Sequence, residues 1–260
     1  GLSIFPTGVL TGTVPLRTLD LGRCMALKAF PEKISALATT LEVLSLSSME
    51  LTVLPDSLCS LTKLFHLELG CPQLSNLPTA LGDLVCLQSL LIRHAGIVSL
   101  PDSIGQLAQL EVLKISSCGE LSCLPDAIGQ LSQLEVLTLS RCLALTSLPD
   151  ALGKLSRLRQ LELVGCEGIS KLPPSVRELT RLQSFDFSGC EDLADSLFED
   201  PTFVDELEAR GCGVFGPDME IEPPGYAAIK EALETEDAAR NDVSHERLAA
   251  LRNIHRVPTS

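Results

Sequence analysis

The segment from Leu124 to Ser147 reads LPDAIGQLSQLEVLTLSRCLALTS, and it is one unit of a pattern that recurs through most of the chain. Each unit opens on a Leu-Pro dipeptide, or on Phe-Pro near the start. This dipeptide recurs in steps of 23 or 24 residues, at Phe30, Leu54, Leu77, Leu100, Leu124, Leu148 and Leu172. Repeats of this length predict a solenoid, in which each unit buries its apolar face only against its neighbours.

Each unit also contains an LxxLxL segment whose apolar residues alternate with variable ones, the period of a strand with one buried face. Such segments begin at nine positions: Leu16, Leu41, Leu64, Leu87, Leu110, Leu134, Leu158, Leu182 and Val204. The residues after each Pro have helix-start chemistry but room for only one or two turns. Since every unit repeats the same path, the strands run parallel. The sequence predicts an α/β solenoid: a curved parallel sheet of about nine strands with short helical turns on its convex side.

The repeating pattern LxxLxLxxCxxLxxLPxxIGxL resembles the leucine-rich repeats. The similarity is closest to the plant-type intracellular repeats of disease-resistance receptors and Ras-group-related proteins, and covers roughly residues 5–212. The Asn ladder and GxIP turn of the extracellular plant class are absent. The resemblance implies a curved recognition scaffold. It also implies that one Cys column turns inward and bonds backbone groups of the neighbouring turn: Cys24, Cys118, Cys142, Cys166, Cys190 and Cys212.

Beyond the repeats, the sequence predicts a linker over 213–223 and a helical C-terminal tail or cap over 224–260, after a solenoid spanning 1–212. The helices of this tail are expected over about 224–239 and 244–256. The net charge is −14 and is concentrated late in the chain, since residues 190–212 hold eight acidic side chains against Arg210 alone. Such acidity excludes a phosphate-tracking nucleic-acid binder, and no apolar run is long enough to span a membrane.

The ten cysteines do not predict disulfides or metal binding. They include no CxxC pair, and no Asn-x-Ser/Thr sequon occurs, so we expect reduced thiols in an intracellular, reducing compartment, most simply the cytoplasm. No phosphate loop or zincin motif is present, and no cofactor or metal is expected. Cys190-Glu191-Asp192 resembles the Cys-x-Asp nucleophile element of bacterial effector ubiquitin ligases, but Cys190 falls in the buried ladder column and too few residues follow for the catalytic domain of that class.

Function is therefore expected on the concave strand surface, which solenoids present to their ligands. A central zone of apolar and cationic residues on strands four to six is the first candidate for partner binding: Leu91, Arg93, His94, Val112, Lys114, Val136 and Arg141. His66, on the third strand, is a further candidate for partner binding. An acidic strip suited to a basic partner is the second: Glu162, Asp186, Glu206 and Glu208. The alternative interpretation of both zones is a solvated surface of small polar residues, because isolated exposed aliphatic side chains are common.

These features predict a non-catalytic scaffold that binds a protein partner through its concave face. Two other functions remain open on the sequence. The chain could be the ligand-sensing segment of a larger signalling or immune receptor, or a structural subunit that docks into a large assembly.

Overall fold

The computed structural model describes residues 5, 7–10, 15–22, 24–217 and 219–221. One curved sheet runs through it, with its strands in chain order and with β1 to β9 parallel. The predicted solenoid of nine parallel strands is confirmed, and a tenth strand pairs antiparallel with β9. The strands are β1 (Thr18–Leu21), β2 (Val43–Ser47), β3 (His66–Gly70), β4 (Ser89–Arg93), β5 (Val112–Ser116), β6 (Val136–Ser140), β7 (Gln160–Glu162), β8 (Ser184–Asp186), β9 (Gly213–Gly216) and β10 (Met219–Ile221).

The core is a ladder of aliphatic side chains in register. One row occupies paired positions on seven consecutive strands, and all of its members are fully buried: Leu44, Leu67, Leu90, Leu113, Leu137, Leu161 and Phe185. Towards the C-terminal end the ladder turns aromatic, and the rings of Phe185 and Phe187 lie 5.1 Å apart. Truncating one such leucine to alanine costs about 2–5 kcal/mol, so each rung contributes substantially to stability.

The convex side consists of short 3-10 turns, most of which begin directly after the repeat proline. The repeat proline takes the N-cap position with an extended backbone, φ −71° at Pro55 and −69° at Pro101, and the turn that follows is short because the next strand begins only a few residues later. The turns span Thr7–Leu10, Glu32–Leu37, Asp56–Ser60, Leu81–Asp83, Asp102–Gln106, Asp126–Gln130, Asp150–Lys154 and Pro174–Glu178.

Glycine in the Ile/Leu-Gly pair of these turns allows the stacked units to approach each other. A Cβ built on Gly129 would lie 2.4 Å from the carbonyl oxygen of Ala151 in the next turn, and one on Gly105 would lie 2.6 Å from that of Ala127. Both distances are well below van der Waals contact. The repeated glycine is therefore a packing requirement of the convex face.

A column of buried side chains follows the strands and links neighbouring units. Each thiol lies near the carbonyl oxygen of the last core residue of the preceding strand: Cys142 at 3.9 Å from Ile115, Cys166 at 3.2 Å from Leu139, and Cys190 at 2.9 Å from Leu163. Cys118 is buried in the same column, with its Sγ 3.6 Å from the carbonyl oxygen of Ser116. Cys24 is only half-buried, at the first unit. The thiols act as weak S–H donors to backbone that water does not reach.

Cys71 also belongs to this column, although it is not among the six cysteines predicted there. Its Sγ lies 3.8 Å from the carbonyl oxygen of Leu46. In the second and third units, the ladder residue follows the last core residue of the strand by two positions. In later units it follows by three positions. Buried Ser48 takes the position in the second unit and donates its hydroxyl to the carbonyl oxygen of Leu27 at 2.5 Å.

The end of the solenoid differs from the prediction. The segment beginning at Val204, predicted as the ninth strand, lies in an α-helix, and the ninth strand forms instead at Gly213–Gly216. Two helices precede it, α1 (Glu191–Glu199) and α2 (Thr202–Ala209). Phe203, Val204 and Leu207 of α2 are buried at helical spacing, which the LxxL pattern fits as well as it fits a strand.

Two further placements change with these helices. Cys212, predicted in the ladder column, lies directly before β9, where it is buried with its Sγ 3.5 Å from the carbonyl oxygen of Gly213. The sheet continues through β9 and β10 into residues 213–221, which the sequence analysis assigned to a linker. The helices expected over 224–239 and 244–256 lie outside the described residues. Neither α1 nor α2 has the length and hydropathy that a membrane span requires, nor does any other described helix.

Candidate protein-binding surface

The concave face is formed by side chains that point away from the leucine ladder on every strand. Leu91, Val112 and Val136 were expected to be exposed there, and that expectation is wrong: their exposed fractions are 7%, 7% and 4%. His66 is buried as well, at 9%. Parallel strands place equivalent residues side by side at about 4.8 Å, so that Val112 and Val136, which are paired in register, cover each other. These residues line the floor of the concave face and are not themselves available as anchors.

Polar residues between these aliphatic ones form cross-strand networks. On the N-terminal half, the Ser45 hydroxyl donates to Glu68 at 3.0 Å, and Glu68 pairs with Arg93 at 3.0 Å. On the C-terminal half, the Thr138 hydroxyl donates to Glu162 at 2.9 Å, and the amide of Gln160 donates to the same carboxylate. Glu68 and Glu162 are half-buried, so each carboxylate is held in place by its neighbours.

Between these networks, β4 to β6 carry cationic side chains. Lys114 is half-buried at the centre of the concave face, on β5. Arg93, His94 and Arg141 are exposed where β4 and β6 end, and we call these three residues the basic edge. Within the described residues, neither His94 nor Arg141 takes part in an ion pair, whereas Arg93 pairs with Glu68.

Two residues of the basic edge, His94 and Arg141, belong to a column of left-handed backbone. The residue just before the ladder position has positive φ in five consecutive units: His94 (50°), Ser117 (56°), Arg141 (53°), Gly165 (67°) and Gly189 (75°). The left-handed conformation costs a residue with a Cβ roughly 1–2 kcal/mol. Gly165 and Gly189 avoid that cost, and His tolerates the region better than most residues. Arg141 has no such advantage, so its presence is unfavourable for folding.

The acidic strip divides into two places. Glu162 and Asp186 are paired in register on β7 and β8 of the concave face, where the Asp186 carboxylate accepts a hydrogen bond from the backbone N–H of Ser188 at 2.9 Å. Glu206 and Glu208, predicted on a ninth concave strand, lie instead on α2. The strip is therefore not continuous, because the chain forms two helices before the sheet resumes.

Helix α2 contacts the preceding convex turn through one arginine. Arg177, from the last convex turn, pairs with Glu206 at 2.6 Å and donates to the Thr202 hydroxyl at 2.7 Å. Its guanidinium also stands 5.6 Å from the ring centroid of Phe203. A cleft of about 330 Å³ between this turn and the helices is lined by Lys171, Leu172, Pro173, Pro174, Val176, Arg177, Ser196, Leu197, Asp200 and Phe203.

Three of the buried thiols, those of Cys59, Cys190 and Cys212, have raised pKa values. Burial raises the pKa of Cys190 to about 11, and burial assisted by Asp56 raises that of Cys59 to about 11. Burial also raises the pKa of Cys212 to about 12. A buried thiol that stays protonated at neutral pH is a poor nucleophile and a poor metal ligand. Among the residues that the structure describes, no group of three or more His, Cys, Asp or Glu side chains is placed to hold a metal ion.

Sequence comparison identifies the repeats. The profile of the leucine-rich repeat region matches residues 66–212, more than half of the 260-residue chain. The chain belongs to the leucine-rich repeat family. Domains of this family generally mediate protein–protein interaction and are typically non-catalytic. Among curated proteins, no sequence matches the chain significantly.

Solved leucine-rich repeat structures are similar to this chain. The leucine-rich repeat domain of the type III effector XopL is 26% identical and has a TM-score of 0.56, and the match covers 72% of this chain and 73% of that domain. The ectodomain of the receptor kinase GASSHO1/SCHENGEN3 from Arabidopsis thaliana, solved in complex with Casparian strip integrity factor 2, is 27% identical with a TM-score of 0.50. That match covers 62% of this chain but only 19% of the ectodomain.

Proposed function

We propose that this leucine-rich repeat chain is a non-catalytic scaffold that binds a protein partner through its concave face. The observation that carries the proposal is the form of that face. It has an apolar floor, with Leu91, Val112 and Val136, crossed by polar residues that neighbouring strands hold in place. Fixed polar groups lose little side-chain entropy on binding, which favours recognition of an extended protein surface.

The C-terminal end of the solenoid supports a second contact with the partner, through an acidic surface. Exposed acidic residues cover α1 and the start of α2: Glu191, Asp192, Asp195, Glu199, Asp200 and Asp205. A basic region of the partner would complement them. An intracellular, reducing location fits the ladder, since its thiols donate to backbone carbonyl oxygens that disulfides would leave without a donor.

The test of this proposal adds bulky side chains to the concave face and leaves its charge unchanged. Three variants place a tryptophan on half-buried concave positions along the sheet, Ser45→Trp, Ser89→Trp and Gln160→Trp, and the control Gln109→Trp places it on an exposed turn before β5. Partners are captured on the immobilised chain and identified by mass spectrometry. We expect a specific partner to be lost with at least one concave variant and kept with the control. A partner kept by all three concave variants would place binding on another surface.

A second candidate function is the ligand-sensing segment of a larger receptor. The similarity to a receptor ectodomain that was solved with its ligand favours this candidate, and the match covers 62% of this chain. Sequencing the complete transcript tests this candidate, since it predicts further repeats or a signalling domain in the same open reading frame.

A further inference from the structure

We propose that the basic edge is a docking site for an acidic segment of the partner, with two carboxylates three residues apart. This inference rests on the proposed function, because it assigns a chemistry to the partner of the same side of the solenoid. The anchors are Arg141 at the end of β6 and the neighbouring pair Arg93 and His94 at the end of β4.

The backbone places these anchors in one line. Ser116 of β5 is in register with Arg93 on one side and with Ser140, the residue before Arg141, on the other. The backbone N–H of His94 also donates to the carbonyl oxygen of Ser116 at 2.9 Å. The anchors on β4 and β6 are thus separated by two strand spacings, about 10 Å. The ligand runs across the strand ends rather than along a strand.

That separation selects the spacing of the ligand's carboxylates. A polyproline II segment has three residues per turn and rises about 3.1 Å per residue, so that residues i and i+3 lie on one side about 9.3 Å apart. In a β-strand, residues i and i+3 point to opposite faces. An extended polyproline II peptide with acidic residues at i and i+3 therefore matches the basic edge.

The backbone at Arg141 argues that its side chain serves binding rather than folding. The same position is glycine in the next two units, Gly165 and Gly189, where positive φ carries no penalty. The stem of Arg141 lies against the neighbouring backbone, since a Cβ built on Gly165 would be 3.3 Å from its Cγ. An exposed arginine kept in an unfavourable conformation, without a described ion-pair partner, has the character of a binding group.

The charge of the surroundings defines the site further. Glu68 already pairs with Arg93, but a guanidinium carries five N–H donors and the side chain remains 51% exposed. Arg141 can form a bidentate pair with a carboxylate, which gives geometric specificity as well as attraction. The negative charge is concentrated in residues 190–212, so an acidic ligand is repelled at that end of the solenoid and attracted by exposed cations such as the basic edge.

The probe is a fluorescein-labelled, proline-rich peptide with glutamates at positions i and i+3. Fluorescence anisotropy at low ionic strength follows its binding to the full chain and to three variants. Arg141→Glu reverses one anchor, and Arg141→Gly removes it while relieving the backbone. Arg181→Glu makes the same change of net charge at an exposed arginine before β8, near the opposite end of the strands.

We expect wild type to bind the peptide, and both Arg141 variants to bind it at least about tenfold more weakly, with Arg181→Glu close to wild type. A peptide with Gln in place of Glu should not bind. The inference is overturned if wild type does not bind, if the Gln peptide binds equally, or if Arg181→Glu weakens binding as much as Arg141→Glu. It is also overturned if sedimentation shows that wild type self-associates and Arg141→Glu is monomeric, because the occupant is then a second copy.

The two proposals fail separately. If Arg141→Glu changes nothing while a concave tryptophan abolishes partner capture, the concave scaffold stands and the basic edge does not. If the peptide binds as expected but every captured partner tolerates the concave tryptophans, the ligand uses the edge alone.

Discussion

Substituting Gly129 by alanine tests whether the convex turns are packed to contact. The added Cβ would lie 2.4 Å from the carbonyl oxygen of Ala151 and 3.0 Å from its Cβ. An ordinary C···O approach is about 3.3 Å or more, so the two turns would have to separate by roughly 0.9 Å. Overpacking of this kind destabilises the folded state by about 1–3 kcal/mol. Alanine also reduces the backbone freedom of the unfolded chain, which stabilises the folded state by about 0.5–1 kcal/mol. We expect the free energy of unfolding to fall by about 1–2 kcal/mol.

The chain offers a matched control at Gly119, where a Cβ would meet no atom within 4 Å. Gly119→Ala carries the same gain from the unfolded chain without the clash, so it should leave stability unchanged or raise it by up to about 1 kcal/mol. Urea unfolding followed by far-UV circular dichroism suits a chain that has no Trp and one Tyr. If Gly129→Ala were as stable as Gly119→Ala, the close stacking of the turns would be refuted.

Three further predictions concern the left-handed column, the buried thiols and the contact between Arg177 and α2. Arg141→Gly should raise the free energy of unfolding by about 1 kcal/mol, and a lower urea midpoint would contradict the cost assigned to positive φ. Burial raises the folded pKa of Cys59 and Cys190 from 9.0 to about 11, so their contribution to stability is fully present below pH 9 and is lost as the pH rises towards 11. Thermal melts should show the melting temperature falling over that pH range, and falling less steeply in Cys190→Ala. A fall of equal slope in that variant would count against burial as the cause. Arg177→Ala should lower stability by about 1 kcal/mol, a modest value because Arg177 and Glu206 are 37% and 43% exposed, whereas Arg181→Ala should not change the urea midpoint.

The sequence predicted the solenoid well because its signal is periodic. A Leu-Pro step of 23 or 24 residues reports one turn of the solenoid, and the same register recurs from Leu44 to Phe185. Where the Leu-Pro step stops, the prediction failed. The segment from Val204 to Ala209 kept a Val-x-x-Leu spacing, but that spacing places apolar residues on one face of a helix equally well. The acidic first turns of α1 and α2 and the buried Phe203 are the sequence signals that could have indicated helices.

Exposure on the concave face was predicted less well, because it depends on neighbours in three dimensions. Leu91 occupies an outward strand position, as expected, yet Glu68 and Lys114 flank it in register and cover it. A single repeat gives no information on how tightly the sheet curves or how far adjacent side chains shield each other. The basic edge was only partly foreseen: Arg93, His94 and Arg141 were named, but the positive-φ column to which His94 and Arg141 belong became visible only in the backbone.

The left-handed column has a consequence for how specificity could be altered in this molecule. Its side chains are not part of the buried ladder, so one of them can be exchanged without removing a core side chain, although any residue with a Cβ there carries the cost of positive φ. Exchanging Arg141 for Gly and Gly165 for Arg would move the cationic anchor by one strand, about 4.8 Å, and it would also remove the Cγ that a side chain at 165 would otherwise meet. The column therefore offers one position per unit. The units that carry a charged residue at this position determine which spacing of charges in a ligand can bind.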